Sequence, residues 1–378
     1  MCPNFNHRGR KKMKKILALF LAVGIMTASV TGCAGQIISE SGNSASSESD
    51  LSDSSGDSSE DIKRADLEER RIGISCRTLR GTFMRGFRIV LLNRLKKLGF
   101  QEANISFYEN NGDTDLELRM IDLLIDSGIE QLVVCPNENS DIPAITDKAV
   151  AAGLPLIYFN FIPAEEERTR WTENKWNVTC IGSDPAQVGK LQGELTASLG
   201  LTQLDMNKNG YVDYIMIGGE EGSTISQTYN QSYIQTLEEK GLPVRCIEDR
   251  YAGWDGDEAH DIMSKALSEK GSEIELVVCQ NEEMTLGAML AIQEAERIVS
   301  SDIYLIGADC GKESLENIQR ATMTGSVFND GTAQAGAVIL NMMNNIDALK
   351  NETVTTMEYV LVTAANAESI KGIVDHPA

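Results

Sequence analysis

Histidine, the side chain best suited to moving protons near neutral pH, occurs only at His7, His260 and His376. His7 precedes an apolar run and His376 lies in the last three residues. His260 falls in a stretch of helical spacing, where a surface role is expected. No Ser-His-Asp or Cys-His set can be assembled from that distribution, so the chain is expected not to be an enzyme. Gly182-Ser183-Asp184-Pro185 to Gly189-Lys190 has the glycines and lysine of a phosphate loop at the wrong spacing. Gly218-Gly219-Glu220-Glu221-Gly222 is glycine-rich, but two carboxylates there would repel phosphate. Apart from Cys2 and Cys33, the cysteines are Cys76, Cys135, Cys180, Cys246, Cys279 and Cys310, with no C-x-x-C pair. Zinc lacks the spacing it requires. Most of the six sit in or beside strand-like runs, which favours buried thiols over bridges.

One segment has metal-ligand spacing. In Asp205-Met206-Asn207-Lys208-Asn209-Gly210-Tyr211-Val212-Asp213, oxygen side chains stand at positions 1, 3, 5 and 9, with glycine at 6 and the Tyr211 carbonyl at 7. That is the front of an EF-hand-type calcium loop. Position 12 is Met216, so a remote glutamate would have to complete the shell. The alternative reading is a polar Asn-Gly turn.

The elements that position these residues come in a regular alternation. Short apolar runs (Ile72–Cys76, Ile105–Tyr108, Gln131–Cys135, Leu156–Phe159) alternate with amphipathic segments at helical spacing, such as Phe83–Leu98. The rhythm restarts at Cys180-Ile181-Gly182 and continues through Val212–Ile217, Val244–Ile247, Ile274–Cys279, Ile303–Ile306, Gly325–Phe328 and Tyr359–Val362. Strand-helix alternation predicts α/β architecture with parallel sheets, and two rounds predict two doubly wound lobes. Ligands then bind beyond the carboxyl ends of the strands, here in a cleft between lobes.

The ends of the chain read differently. Residues 1–32 carry a basic start (Arg8, Arg10, Lys11, Lys12, Lys14, Lys15) and an apolar run, Ile16–Met26, too short to span a bilayer. Either Met1 or Met13 can serve as the start. Val30-Thr31-Gly32-Cys33 resembles the bacterial lipobox, which makes Cys33 the expected lipidated residue of the mature protein. An ordinary secretory signal followed by a chance cysteine is the alternative. Residues 33–69, rich in Ser, Asp and Glu, read as a disordered leash. Losing residues 1–32 removes six positive charges and takes the formal charge from −22 to −28. Such an acidic surface argues against nucleic acid and anionic lipid headgroups as partners.

Arg71-Ile72-Gly73-Ile74, Pro155–Asn160, Ile181–Asp184, Gln192-Gly193, the Asp205–Asp213 loop, Trp254-Asp255, Asn281, Gly307-Ala308-Asp309 and Gly325–Asp330 together resemble the periplasmic galactose/glucose-binding proteins, over about residues 70–370. The resemblance implies that Phe83 and Trp254 cover opposite faces of a pyranose. It implies that Asn281, Asp309 and Asn329 bind its hydroxyls. It also implies a structural Ca2+ held by Asp205, Asn207, Asn209, the Tyr211 carbonyl, Asp213 and Glu275. The chain departs from that pattern at Gly81, where the family has Asp, and at Cys135, where it has Asn. It departs again around Ser223-Thr224-Ile225 and Tyr229-Asn230, near a one-residue insertion, where the family has a His-x-Asp cluster and an Arg.

The expectation is therefore a lipid-anchored, extracytoplasmic substrate-binding protein of an ABC importer, monomeric, on the outer face of the cell membrane. It would bind a galactose- or glucose-like monosaccharide and present its closed form to the permease subunits. A sensor presenting that form to a chemoreceptor or histidine kinase is the alternative. The lobes are expected as 70–157 plus 331–363 and 158–330 plus 364–378. The three hinge crossings are expected near Ile157–Asn160, Asn329–Gly331 and Thr363–Ala365.

Overall fold

The computed structural model describes residues 66–79 and 81–375. The expected signal, Cys33 and the leash as far as residue 65 lie outside the described residues. Residues 66–69, assigned above to the leash, instead form a helical turn. Leu67 is buried in the first core, and the Glu68 carbonyl accepts a hydrogen bond from Asn104 Nδ2 at 2.7 Å.

Five strands of near-unbroken apolar character open the fold: β1 (Ile72–Cys76), β2 (Ile105–Glu109), β3 (Gln131–Val134), β4 (Leu156–Phe159) and β5 (Val178–Gly182). With β11 (Val354–Thr356) they make a six-stranded sheet in the order β11-β5-β4-β3-β1-β2, every pair parallel. The connecting helices are α1 (Thr82–Leu98), α2 (Thr114–Asp126), α3 (Ile142–Ala151) and α4 (Glu165–Asn174). β1, β3, β4 and β5 are buried along their whole length, as a sheet covered by helices on both faces requires. α1 shows how the pattern works. Met84, Phe87, Val90, Leu91 and Leu95 form its buried stripe, and Gly99 at φ 111° ends it in a left-handed cap.

The second half repeats the plan. β6 (Val212–Gly218), β7 (Val244–Tyr251), β8 (Leu276–Cys279) and β9 (Tyr304–Ile306) form a parallel sheet in the order β7-β6-β8-β9. A bridge from Ile306 to Gly325 leads on to β10 (Ser326–Phe328), which pairs antiparallel with β12 (Val360–Val362). Its helices are α5 (Ala186–Leu199), α6 (Leu201–Leu204), α7 (Thr224–Lys240), α8 (Gly256–Lys270), α9 (Glu282–Glu294), α10 (Lys312–Gln319) and α12 (Ala367–Asp375). α11 (Gly331–Ile346) returns to the first lobe and packs on α1. In each sheet the chain starts in the interior, steps outward once, then reverses. Each therefore has a switch point, between β1 and β3 and between β6 and β8.

Two expected lobe boundaries are corrected. β5 does not open the second lobe: it is hydrogen-bonded to β4, so the first lobe runs past 157 to Gly182. β12 pairs with β10, so 360–362 belong to the second lobe, not the first. The chain changes sheet after β5, after β10 and between β11 and β12. Only the crossing near Asn329 lies where it was expected. The physical reason is α4, whose sequence EEERTRWTEN buries only Glu167 and Trp171. Its crossover role is invisible to hydrophobic spacing. Its one large apolar anchor is Trp171, stacked on Tyr158 at 5.5 Å, while Arg170 ties it to Asp147 at 2.6 Å.

Among the described residues no helix is long and apolar enough to cross a membrane. The six cysteines named above are unpaired thiols. Cys76, Cys180, Cys279 and Cys310 are buried, Cys135 is half-buried and Cys246 is exposed on the edge strand β7.

Candidate functional site

A cavity of about 260 Å³ opens between the carboxyl ends of the two sheets. Nearly every strand that reaches it contributes residues from the loop just past its end. Arg77 and Thr78 follow β1, Cys135 to Asn139 follow β3, and Asn160 follows β4. Glu220, Trp254, Asn281, Asp309 and Asn329 follow β6, β7, β8, β9 and β10. The volume lies just below the usual range of ligand pockets, roughly 300–1,000 Å³, and suits one ring rather than a chain of them.

All five residues expected to touch a ligand (Phe83, Trp254, Asn281, Asp309 and Asn329) line this cavity. Phe83 ends an aromatic stack that runs through Phe87 to Phe159, with centroid separations of 6.3 and 4.3 Å. Asn281 caps α9 by accepting from the Met284 N–H at 2.9 Å, and donates to the Trp254 carbonyl at 3.1 Å. Trp254 sits at φ 65° and Asp309 at φ 61°, a left-handed conformation that non-glycine residues seldom adopt. Asn329 donates to Asp309 Oδ1 at 3.3 Å and to Asn160 Oδ1 at 3.1 Å, and its own oxygen is held by Gln334 Nε2 at 2.9 Å. Burial raises the Asp309 carboxyl to about 7. Facing Glu283 adds to the rise, and the Asn329 bond opposes it.

Trp254 lies directly on the backbone of Gly219. A Cβ there would meet Cε2 and Cζ2 of the indole at 2.2 Å. Gly219→Ala is therefore expected to drive the indole back by about 1 Å or more to recover ordinary packing. The emission of Trp254 in the ligand-free protein should shift to the red. A variant spectrum superimposable on the wild type would contradict that contact.

Several lining residues escaped the sequence reading. Both polar atoms of the Asn137 amide are buried and have no partner in the protein. Arg77 and Glu220 form a two-bonded ion pair between the lobes, one bond measuring 2.8 Å. Glu283 of α9 reaches the start of α1, where it accepts from the Thr82 N–H and from Thr82 Oγ1, the latter at 2.7 Å. The available signal was position: Asn137 and Glu283 each lie within four residues of a strand end at a switch point. The Cys135 thiol, which burial pushes up to about 12, is no nucleophile.

The family model of the periplasmic binding protein domain matches residues 72–351. This chain belongs to that family. Periplasmic binding proteins similar to it include the D-galactose/methyl-galactoside binding periplasmic protein MglB of Haemophilus influenzae. The two are 25% identical over 288 residues, or 75% of this chain and 84% of that one. The xylitol-binding protein of Mycolicibacterium smegmatis is 22% identical over 70% of this chain and 69% of its own length. Among solved structures, an ABC transporter solute-binding protein from Bacillus halodurans with bound myo-inositol superposes with a TM-score of 0.66. It is 22% identical and covers 81% of this chain and 98% of its own. One from Actinobacillus succinogenes with bound D-allose gives 0.67 at 16% identity, over 80% of this chain and 100% of its own. These structures share the type I periplasmic binding protein fold, and members of the family bind solutes rather than transform them.

Two of the departures from the galactose/glucose-binding pattern have physical readings. A Cβ at Gly81 would lie 3.8 Å from Glu283 Oε1, so an aspartate there would be pushed against Glu283. The second lobe already supplies a carboxylate to the start of α1. The buried Asn137 amide lies two residues beyond Cys135, where the asparagine of the galactose/glucose binders is missing.

The loop expected to hold calcium forms the predicted turns but not a calcium shell. Asp205 accepts from the N–H groups of Asn209 and Gly210, both at 2.9 Å. Glu275 accepts from those of Asn207 and Asp213, both at 2.9 Å. Asn207 and Asn209 turn their NH2 groups, not their oxygens, toward Asp213 Oδ2, at 3.1 and 2.7 Å. Tyr211 is exposed. Among the described residues no three acidic, histidine or cysteine side chains group as a metal site. As arranged, Asn207, Asn209, Asp213 and Glu275 do not fit the expected ion, which needs six or more oxygens turned inward: two amides present NH2, and both carboxylates are taken up by donors of the protein.

Proposed function

We propose that this protein is the extracytoplasmic substrate-binding lipoprotein of an ABC importer, and that it holds one monosaccharide between its lobes. The Asn137 amide carries the reading. A buried amide with neither donor nor acceptor engaged is costly, and the cavity it faces is where a hydroxylated ligand would relieve it. Phe83 from the first lobe and Trp254 from the second offer flat apolar surfaces to the C–H faces of a sugar ring. Asp309, Asn281 and Asn329 offer acceptors and donors for its edge. The relatives' named ligands, D-galactose and xylitol, and those in the solved structures, myo-inositol and D-allose, are all small polyhydroxylated molecules. A galactose- or glucose-like pyranose is the first candidate, with hydroxyl preference altered at Gly81, Cys135 and Asn137.

A ligand touching both lobes favours the closed form, which the permease subunits would read. Lipid on Cys33 would keep the protein, as a monomer, at the outer face of the cell membrane. Titration calorimetry with hexoses, pentoses and inositols tests the core of this reading. At least one should bind saturably with micromolar or better affinity. A flat response to every one of them would rule the ligand class out.

A further inference from the structure

We propose that Arg245 is the resident cation of the 205–213 loop, so that the second lobe keeps its shape without a bound metal ion. Three carboxylates belong to this loop or bond to it, Asp205, Asp213 and Glu275, and each is already engaged by the protein. Asp205 and Glu275 are held by backbone N–H groups, two apiece. Asp213 receives the guanidinium of Arg245 in a two-pronged contact, Nε to Oδ1 at 2.7 Å and Nη2 to Oδ2 at 2.8 Å. This fork geometry is the one arginine forms best with a carboxylate.

Two features make the pair built rather than incidental. Asp213 and Arg245 are directly paired residues of the β6–β7 ladder, so the register of the sheet delivers the guanidinium, and no loop must move to bring it. The Asp213 side chain is 1% exposed, so its charge requires a partner, whereas Arg245 at 55% keeps much of its own hydration. The amides of Asn207 and Asn209 add their donors to the same Asp213 oxygen. A calcium ion would have to displace the guanidinium, turn both amides over and recruit Glu275 away from two backbone N–H groups.

The test is the melting temperature of the mature protein in excess EGTA and in millimolar calcium, beside terbium luminescence as a direct probe of the loop. Wild type is expected to melt within about 1 °C in the two buffers and to show no saturable terbium signal. Arg245→Gln is expected to melt about 5 °C lower than wild type in EGTA, because a buried carboxylate is left without its counter-charge. Calcium raising the wild-type melting temperature by several degrees, saturable terbium binding to wild type, or an Arg245→Gln protein as stable as wild type would each overturn the proposal. The wild-type measurements decide it even if that variant fails to fold.

Discussion

Asp309→Asn is expected to weaken monosaccharide binding by at least about tenfold, the scale of a charge-assisted hydrogen bond reduced to a neutral one. The same change should stabilise the ligand-free protein above neutral pH. The Asp309 carboxyl sits at about 7, because it is buried opposite Glu283. In an unfolded chain it would titrate near ~3.9. Between those values the folded state binds the extra proton, so this group's contribution to stability falls as pH rises and is lost above about 7. The asparagine variant has no such charge to bury. It should match wild type in melting temperature near pH 4 and exceed it by pH 8. Sugar affinity should move the opposite way, with wild type gaining as Asp309 ionises and the variant staying flat with pH. Calorimetry and thermal melts at several pH values read both. A variant that binds as tightly as wild type at pH 8 would remove Asp309 from the site, whatever its stability.

Trp254→Ala is expected to cost about 30- to 100-fold in affinity. One indole face against a sugar ring removes about 100 Å² of apolar surface from water, worth roughly 2–3 kcal/mol. The fold should survive, because Trp254 is only partly buried and packs at the margin of the second core. Phe83→Ala would be a poorer probe, since it also opens the stack on Phe87 and Phe159. Because the change removes a fluorophore, calorimetry is the measurement to use. Affinity within threefold of wild type would mean that the indole does not cover the ring.

Strands buried on both faces announce themselves as apolar runs, which is why β1, β3, β4 and β8 were legible in the sequence. α4 and α10 were not, one because almost all of it is polar and the other because it spans only eight residues. The loss of α4 then moved β5 into the wrong lobe. The ligand set followed the same logic. Residues carried over by family resemblance as ligand-binding, such as Phe83 and Asp309, line the cavity. Asn137 and the Thr82–Glu283 contact were missed, because the significance of each depends on what faces it from elsewhere in the chain. The 205–213 loop is the sharpest case. Spacing within nine residues encodes its turns, but the arginine that occupies Asp213 comes from 32 residues on and is delivered by strand register.

The return of α11 and β11 to the first sheet, after the second is nearly complete, bears on how the chain is made. α11 covers α1, and β11 supplies the outer edge beside β5. α11 needs the chain as far as Ile346 and β11 as far as Thr356, so an emerging N-terminal half has no finished lobe into which it can collapse. Long sequence separation between partners slows folding. The first lobe is therefore expected to close late, after most of the second has been made.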